Sequence, residues 1–388
     1  GFILGLLVFL GLLTFVVINK AKINTDESPN TFNPSALILG FIGVLLGCLP
    51  AWLTLNQIAN ANTFVFDRMA IPALWGASLF CVALLFYIFG NKYLRCEVVL
   101  AIVISLAVAK NFSVVNEFRW STIWNNRLLS QIQWRIPYLK PNTLILSDSE
   151  YIKYIPPFAM SFQFNLLYPE NNQSPYLDYY FLTINKYFSK NSSDIKNGIP
   201  VIQQHLYAKF QGITTDSIVI SWDRTAVDCV WILSEKDRYN PLISENTRVA
   251  LPASNYSRIV TTGTEYVPDS NIFGEENTNT WCYYFEKADL ARQLADWESI
   301  LEYYAEAKTF GFDASNGVEL IPFIEAYAFT GQADIAEHLT RVAQSITPNM
   351  RNYTCDIWNH MAKEITDDKK FETYYGLINR EDLCWEVK

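Results

Sequence analysis

The 388-residue sequence is half hydrophobic and is acidic, with 30 Lys and Arg against 39 Asp and Glu and a formal net charge of −9. Residues 1–118 hold only six basic and five acidic residues, so most of the charge, 24 basic and 34 acidic residues, lies in 119–388. An acidic region without Lys- or Arg-rich runs repels phosphate backbones, which excludes nucleic acid as an expected partner.

Four apolar segments are each long enough for a membrane-spanning helix, since a hydrocarbon core of about 30 Å takes about 20 helical residues. They cover about 1–18, 37–56, 71–90 and 97–116. Four such runs exceed what a soluble core needs, so we expect an α-helical membrane region over 1–118. The chain starts at Gly1 inside the first run, without an initiator Met, so we expect an N-terminally truncated piece of a longer protein.

The basic residues of the short loops predict the orientation, because cytoplasmic loops carry the excess of Lys and Arg. Two loops, 19–36 and 91–96, share one side and hold four basic residues, whereas the opposite side has only Arg68. Arg119 and Arg127 follow the last span and argue weakly the other way. We therefore expect a multi-pass protein of the cell membrane, in contact with lipid, whose residues 119–388 are extracytoplasmic.

Residues 119–280 show short β-rich runs separated by Pro, Asn and Ser clusters, a pattern typical of a mixed α/β module. We predict a strand at 143–147, a weaker one at 179–184, and an antiparallel hairpin formed by 217–222 and 229–233. The segment 199–210 is interpreted as a possible helix. The predicted fold class is thus a membrane region followed by a soluble α+β module.

From residue 281 the apolar residues recur at helical spacing. One pair of helices is predicted with a break at Ala295-Asp296, and a second pair about 36 residues later with a break at Gly331. The packing positions are Ile300 and Ala307 in the first pair, and Ala336 and Ala343 in the second. This spacing resembles tetratricopeptide repeats, with a third, degenerate unit at about 353–379.

The resemblance to tetratricopeptide repeats implies that 281–388 packs on the α/β module, because single repeats cannot bury their own apolar faces. It also implies a binding surface for a protein partner in 281–388.

The cysteines indicate disulfides but do not fix them. In an exported domain Cys229, Cys282, Cys355 and Cys384 allow two bridges by any of three pairings. Buried thiols are the alternative. No CxxC spacing occurs, so we expect no structural zinc site.

Candidate catalytic residues are few. The three histidines, His205, His338 and His360, are expected to be packing or surface residues. The neighbouring carboxylates Asp148 and Glu150, and likewise Glu275-Glu276, could do acid–base work only if their pKa values were split, and they are better explained as solvated loop ends. No phosphate loop, HExxH or GxSxG occurs, so no cofactor or metal is expected.

Asp67 and Arg68 are the candidate substrate-binding residues, because they stand immediately before the apolar segment 71–90. Charges at that place pair with each other, hold a lipid headgroup, or contact a polar substrate at the membrane surface.

Four segments, FDRMAIPALWG, WRIPYLKPNTLILSD, FNLLYP and TWCYYFEKADLARQLADW, together span about 66–297. In this ordered set the chain resembles bacterial polytopic membrane proteins that are similar to the C-type membrane glycosyltransferases, which use lipid-linked sugar donors. The resemblance implies a polyprenyl-linked sugar as substrate, with Arg68 near the donor headgroup. The acidic catalytic residues of that superfamily lie in an early loop that this chain does not contain.

Two functions therefore stay open. One is a glycosyltransferase-like enzyme, and the other is a non-catalytic membrane assembly protein that binds a partner through its repeat-like helices.

Overall fold

The computed structural model describes residues 2–20, 34–54, 70–89, 93–148, 151–152, 155–169, 175–187, 195–222, 229–261, 269–274, 277–364, 376 and 383–384. The chain divides into two compact units, Gly1–Thr122 and Ile123–Lys388. The division falls inside the fourth helix.

The first unit is helical. Its helices are α1 (Phe2–Lys20), α2 (Ser35–Leu53), α3 (Ile71–Phe89) and the first part of α4 (Tyr93–Arg135). Among the described residues, α2, α3 and α4 from Leu94 are long and apolar enough to cross a membrane. The apolar stretch of α1, Phe2–Ile18, is shorter. Three of the four predicted spans are thus confirmed as helices of membrane length, and the first stays a prediction.

The fourth helix is longer than predicted. Instead of ending near residue 116, α4 continues as one helix of 43 residues to Arg135. The sequence after Lys110 turns polar and aromatic, which marks the end of the apolar stretch. A helix needs no continuous apolar sequence, so the change of composition was a poor guide to its end.

Small residues bring α2 and α3 into backbone contact. A Cβ atom built at Gly76 of α3 would lie 2.3 Å from the backbone of Gly43 and Val44, and one at Gly47 would lie 2.4 Å from Ala73. Helices without a hydrophobic driving force between them associate through such close approaches. The pair is therefore built for van der Waals packing of two backbones.

The second unit is built on a four-stranded sheet in the order β3-β2-β6-β7. The central strand β2 (Thr143–Ser147) pairs in parallel with β3 (Tyr179–Thr183) and β6 (Ser217–Ser221), and β7 (Trp231–Leu233) pairs antiparallel with β6. These strands confirm the predicted strand at 143–147 and the predicted hairpin. Their residues are buried along the whole length, as in a sheet covered on both faces.

Helices cover the two faces of this sheet. On one face Ile145 and Ile218 share a core with Leu128 and Ile132 from the end of α4 and with Phe164 of α5 (Pro157–Leu167). On the other face Leu144, Leu146 and Val219 share a core with residues of the helical region that begins at 281. The predicted packing of that region on the α/β module is thus observed.

The segment 199–210 is not helical, and this prediction was wrong. It forms the antiparallel hairpin of β4 (Pro200–His205) and β5 (Ala208–Ile213), with His205 opposite Ala208. Buried Val201 and Phe210 alternate with more exposed neighbours, the period of a strand. A second short pair joins β1 (Tyr138–Leu139) to β8 (Ile259–Val260).

Short helices lie between these elements: α6 (Ile184–Tyr187) follows β3, α7 (Glu245–Ala250) lies between β7 and β8, and α8 (Ser270–Phe273) precedes the helical region. The region itself contains α9 (Trp281–Gln293), α10 (Trp297–Thr309), α11 (Ile321–Phe329), α12 (Ala333–Ile346) and α13 (Arg351–Glu364).

Both predicted helix breaks are present. Ala295 and Gly331 adopt positive φ angles of 55° and 86°, and the Asp296 side chain accepts a hydrogen bond from the Ser299 N–H at the start of α10. The four predicted packing positions, Ile300, Ala307, Ala336 and Ala343, are fully buried. The assignment to tetratricopeptide repeats stays a prediction. Of the predicted third unit, residues 365–375 and 377–379 lie outside the described ones.

Candidate functional site

Only some of the predicted site residues belong to the described part of the chain. Asp67, Arg68, Glu150, Glu275 and Glu276 lie outside the described residues. Asp148 follows β2, where its carbonyl oxygen accepts a hydrogen bond from Asn185 at 3.1 Å.

Two of the three predicted histidines, His338 and His360, lie on helices of the second unit. His360 lies 3.6 Å from Asp356, one turn earlier on α13. His338 lies on α12. Within the described part of the chain, Asp148, His338 and His360 belong to no group of His, Cys, Asp and Glu side chains that could hold a metal ion.

His205 lines a groove between α5 and the β4–β5 hairpin, with a volume of about 470 Å³. Its imidazole stacks on Phe158 at 3.9 Å between ring centroids and meets Phe162 edge-on at 6.4 Å. The hairpin thereby packs on α5 through aromatic rings, in agreement with the predicted packing role of this histidine. The rest of the lining is mainly apolar or aromatic: Phe162, Leu166, Pro175, Tyr176, Leu177, Leu206, Tyr207 and Ala208.

Asn165 also lines the groove, but its side chain is engaged in the fold. Its amide nitrogen donates to the carbonyl oxygens of Ser161 and Tyr179, and its oxygen accepts from the Asp178 N–H at 2.8 Å. Ser161 accepts a further hydrogen bond from the Phe181 N–H. These contacts fix α5 against the edge strand β3, so the wall of the groove is held by hydrogen bonds as well as by packing.

A buried ion cluster lies where the end of α4 meets α9. Arg135 is fully buried, and its Nε donates to Asp289 at 2.5 Å while its Nη1 donates to Gln293 at 3.0 Å. Arg292 donates to the other oxygen of Asp289 at 2.7 Å and lies 3.6 Å from Glu325 of α11. Burial raises the pKa of Asp289, but the two guanidinium groups lower it by more, so its net pKa is below the ordinary value.

Glu286 lies one turn before Asp289 on α9 and is also fully buried, but its pKa is shifted in the opposite direction. Apart from the Val230 backbone, which lowers the pKa of Glu286, neither of its carboxyl oxygens has a hydrogen-bond partner among the described residues. Burial and the negative charge of Asp289 raise the pKa of Glu286 well above its ordinary value, although Arg135 opposes them. The pKa values of the two acids of one helix are thus shifted in opposite directions.

A small cavity of about 20 Å³ adjoins the ion cluster, lined by Asp237, Asp289, Arg292 and Tyr353 among others. Tyr353 of α13 donates a hydrogen bond to Asp237 at 2.5 Å. The cavity has room for about one water molecule, and its polar lining suits one. Paired charges therefore connect α4, α9 and α11, and the hydrogen bond from Tyr353 to Asp237 adds α13 beside the cavity. This arrangement is suited to holding elements together.

A further buried acid, Glu319, closes the turn before α11. It accepts hydrogen bonds from the Trp281 indole at 2.8 Å, the Ser315 N–H at 3.0 Å and the Asn316 amide at 2.9 Å. Burial nevertheless raises its pKa to about 7, because it outweighs these hydrogen bonds. The contact with Trp281 ties this turn to the start of α9.

The four cysteines of the second unit form two disulfides. Cys229 pairs with Cys282, and Cys355 pairs with Cys384. Among the described residues the free cysteines are Cys48, Cys81 and Cys96, all in the first unit. The first bridge joins the residues just before β7 to α9, and so fastens the helical region to the sheet.

Sequence reasoning missed the ion cluster. In the sequence, its charged residues are ordinary polar positions on helices: Arg135, Glu286, Asp289 and Glu325. Nothing in a single sequence shows which helix face is covered by another element. One signal was present: Arg135 stands between Trp134 and Ile136, so its charge interrupts an apolar run.

No family model matches this chain, and no curated protein or solved structure matches it either.

Proposed function

We propose that this is an integral membrane protein that holds residues 123–388 on the extracytoplasmic side as a recognition domain. The observation that carries the proposal is the division of the cysteines: those of the second unit pair as Cys229–Cys282 and Cys355–Cys384, while the described free cysteines belong to the apolar helices. Disulfides persist in oxidising compartments and are rare in the cytosol. The basic residues that flank the apolar segments on one predicted side, Lys20, Lys22, Lys92 and Arg95, support the same orientation.

In this proposal the helical region binds a protein partner. Glu298, Glu302 and Glu306 are exposed on α10 at intervals of four residues and form one acidic row. Like charges at this spacing destabilise a helix by a few tenths of a kcal/mol per pair, or about 0.2–0.5. A row that weakens its own helix favours a role in recognition, and its charge suits a basic segment of a partner.

Site-specific cross-linking tests the partner. A photoreactive amino acid at Glu302 in the full chain is expected to give a defined adduct in native membranes, and one at the similarly exposed Glu235 is not. Adding Glu298→Lys and Glu306→Lys should abolish the adduct. Equal adducts at both positions, or an adduct that survives the charge reversal, would show that the acidic row is not the binding surface.

A glycosyltransferase that uses a polyprenyl-linked sugar is the second candidate. It is supported by Asp67 and Arg68, which in the sequence directly precede α3, a helix of membrane length that begins at Ile71. There the guanidinium of Arg68 is suited to an anionic headgroup.

The two candidates differ in what lies upstream and in what Arg68 does. The enzyme requires an acidic residue in an earlier extracytoplasmic loop of the full-length gene, and Arg68→Ala should then abolish transfer of labelled sugar from the lipid donor. An upstream sequence without such a residue would eliminate the enzyme and leave the recognition domain.

A further inference from the structure

The tip of the β4–β5 hairpin has an unusual composition. Its two turn residues, Leu206 and Tyr207, are 79% and 89% exposed. Two-residue hairpin turns normally use Asn, Asp or Gly, which adopt positive φ easily. Leu206 adopts a φ of 54°, a conformation that bulky side chains rarely take. The chain thus places a large apolar side chain where a small polar one would be relaxed.

The apolar surface continues beyond the turn. Tyr176 and Leu166 at the mouth of the groove are about half exposed. We call this surface, formed by Leu166, Tyr176, Leu206 and Tyr207, the hairpin patch. Exposed apolar patches of this kind mark interaction sites rather than ordinary surface.

The hairpin patch is held in place. The Lys209 N–H donates to the Pro175 carbonyl and the Lys209 carbonyl accepts from the Leu177 N–H, both at 2.8 Å. Phe210 is fully buried and packs on Tyr180 at 5.5 Å between ring centroids. Because the base of the hairpin is fixed in this way, its tip projects as a defined convex element.

The chemistry of the tip favours a lipid surface over the other occupants. Ligand sites are concave, whereas Leu206 and Tyr207 only border the groove and are 79% and 89% exposed. Within the described segment 199–213 the single charged residue is Lys209, in a domain that is otherwise acidic. An apolar tip with a tyrosine hydroxyl and a flanking Lys matches the acyl boundary, the interface and anionic headgroups of a bilayer.

We propose that the tip of the β4–β5 hairpin enters the interfacial layer of a lipid bilayer. The same chain carries α2, α3 and α4, which are long enough to span a membrane, so a bilayer is present at high effective concentration. This inference rests on the membrane location proposed above. It adds a second point of attachment that the spanning helices do not supply.

Depth-dependent quenching tests the proposal on the full chain. A fluorophore is attached through Tyr207→Cys, with Cys48, Cys81 and Cys96 replaced by Ala, in vesicles of phosphatidylcholine and phosphatidylglycerol that contain nitroxide-labelled lipid. The aqueous control is a label attached through Asp334→Cys, an exposed position on α12. The membrane control is a label on Cys81, which is exposed on α3, with the other two free cysteines replaced.

The label at position 207 is expected to be quenched at least about twofold more than the label at position 334, since interfacial elements lie about 5–10 Å into the headgroup boundary. Leu206→Asp should remove this excess, and Lys209→Glu should reduce it in vesicles with phosphatidylglycerol. Both side chains are exposed, and an unchanged unfolding temperature would confirm that the variants fold.

Equal quenching at positions 207 and 334, with Cys81 quenched, would overturn the bilayer contact while leaving the membrane location intact. The tip would then be in water or covered by protein. Absence of quenching at Cys81 as well would overturn the membrane location together with the hairpin contact.

Discussion

The two buried acids of α9 make a sharp test of the ion cluster, because the same chemical change should have opposite results at them. Asp289→Asn keeps the size of the side chain but removes the charge that faces Arg135 at 2.5 Å and Arg292 at 2.7 Å. Arg135 is fully buried and is left without its ionic partner. Breaking a buried pair in this way costs about 3–5 kcal/mol of the free energy of unfolding.

Glu286→Gln is the matched variant one turn away. Since burial and Asp289 raise the pKa of Glu286 well above its ordinary value, its site favours the neutral carboxyl, and Gln keeps a neutral group there. We expect a change within about 1 kcal/mol. Glu245→Gln, which breaks an exposed pair with Arg248, should also stay within about 1 kcal/mol.

Thermal unfolding of the full chain in detergent, followed by tryptophan fluorescence, measures the three variants. For a unit of this size about 3–5 kcal/mol corresponds to a fall in Tm of about 6–20 °C. The reasoning is refuted if Asp289→Asn lowers Tm no more than Glu286→Gln does, because the cluster would then contribute no more than an uncharged contact.

Three further predictions concern other parts of the chain. Cys229→Ser should lower the free energy of unfolding by about 4 kcal/mol in denaturant titrations, the chain-entropy value for the 53-residue separation from Cys282. Reduction of the wild type, which also opens Cys355–Cys384, should lower it by more. Glu319 has a raised pKa of about 7, so its contribution to stability is full below its unfolded pKa of about 4.3 and is lost as the pH rises through 7. Glu319→Gln should reduce this pH-dependent loss of stability, which is up to about 3–4 kcal/mol in the wild type. A denaturant midpoint that falls equally with rising pH in both proteins would contradict the prediction. Gly76→Val should destabilise the α2–α3 pair by about 1–3 kcal/mol, seen as faster proteolysis in detergent, whereas Gly11→Val, with open space around its Cβ, should not.

The elements with strong periodicity were predictable from the sequence. Strands β2 and β6 consist of short apolar runs bounded by turn residues, and the helix breaks at Ala295 and Gly331 interrupt regular apolar spacing. In each of these the local pattern and the tertiary environment agree, so a local reading was sufficient.

Other features depend on contacts that no local pattern contains. The apolar residues of the segment 199–210 are compatible with either a helix or a hairpin. The antiparallel pairing of 200–205 with 208–213 makes this segment part of a hairpin. The end of α4 at Arg135 is decided by its packing against the sheet, since Leu128 and Ile132 share the core of Ile145. Tertiary contacts overrule weak local preferences in such segments.

The candidate site shows the same limit. Asp67 and Arg68 were found from their place before an apolar run, and the glycosyltransferase resemblance stays a prediction. The ion cluster joins residues of α4 and α9 that are 154 positions apart, Arg135 and Asp289. The hairpin patch depended on recognising that Leu206 and Tyr207 form a turn, which the helical interpretation of 199–210 prevented.

The extracytoplasmic location of residues 123–388 is the central claim, and labelling in right-side-out membrane vesicles tests it most directly. The full chain with Asp334→Cys, and with Cys48, Cys81 and Cys96 replaced by Ala, is treated with a membrane-impermeant maleimide. The exposed position 334 is expected to react in sealed vesicles as completely as after detergent. Reaction only after the vesicles are opened would place the domain in the cytoplasm and contradict the account.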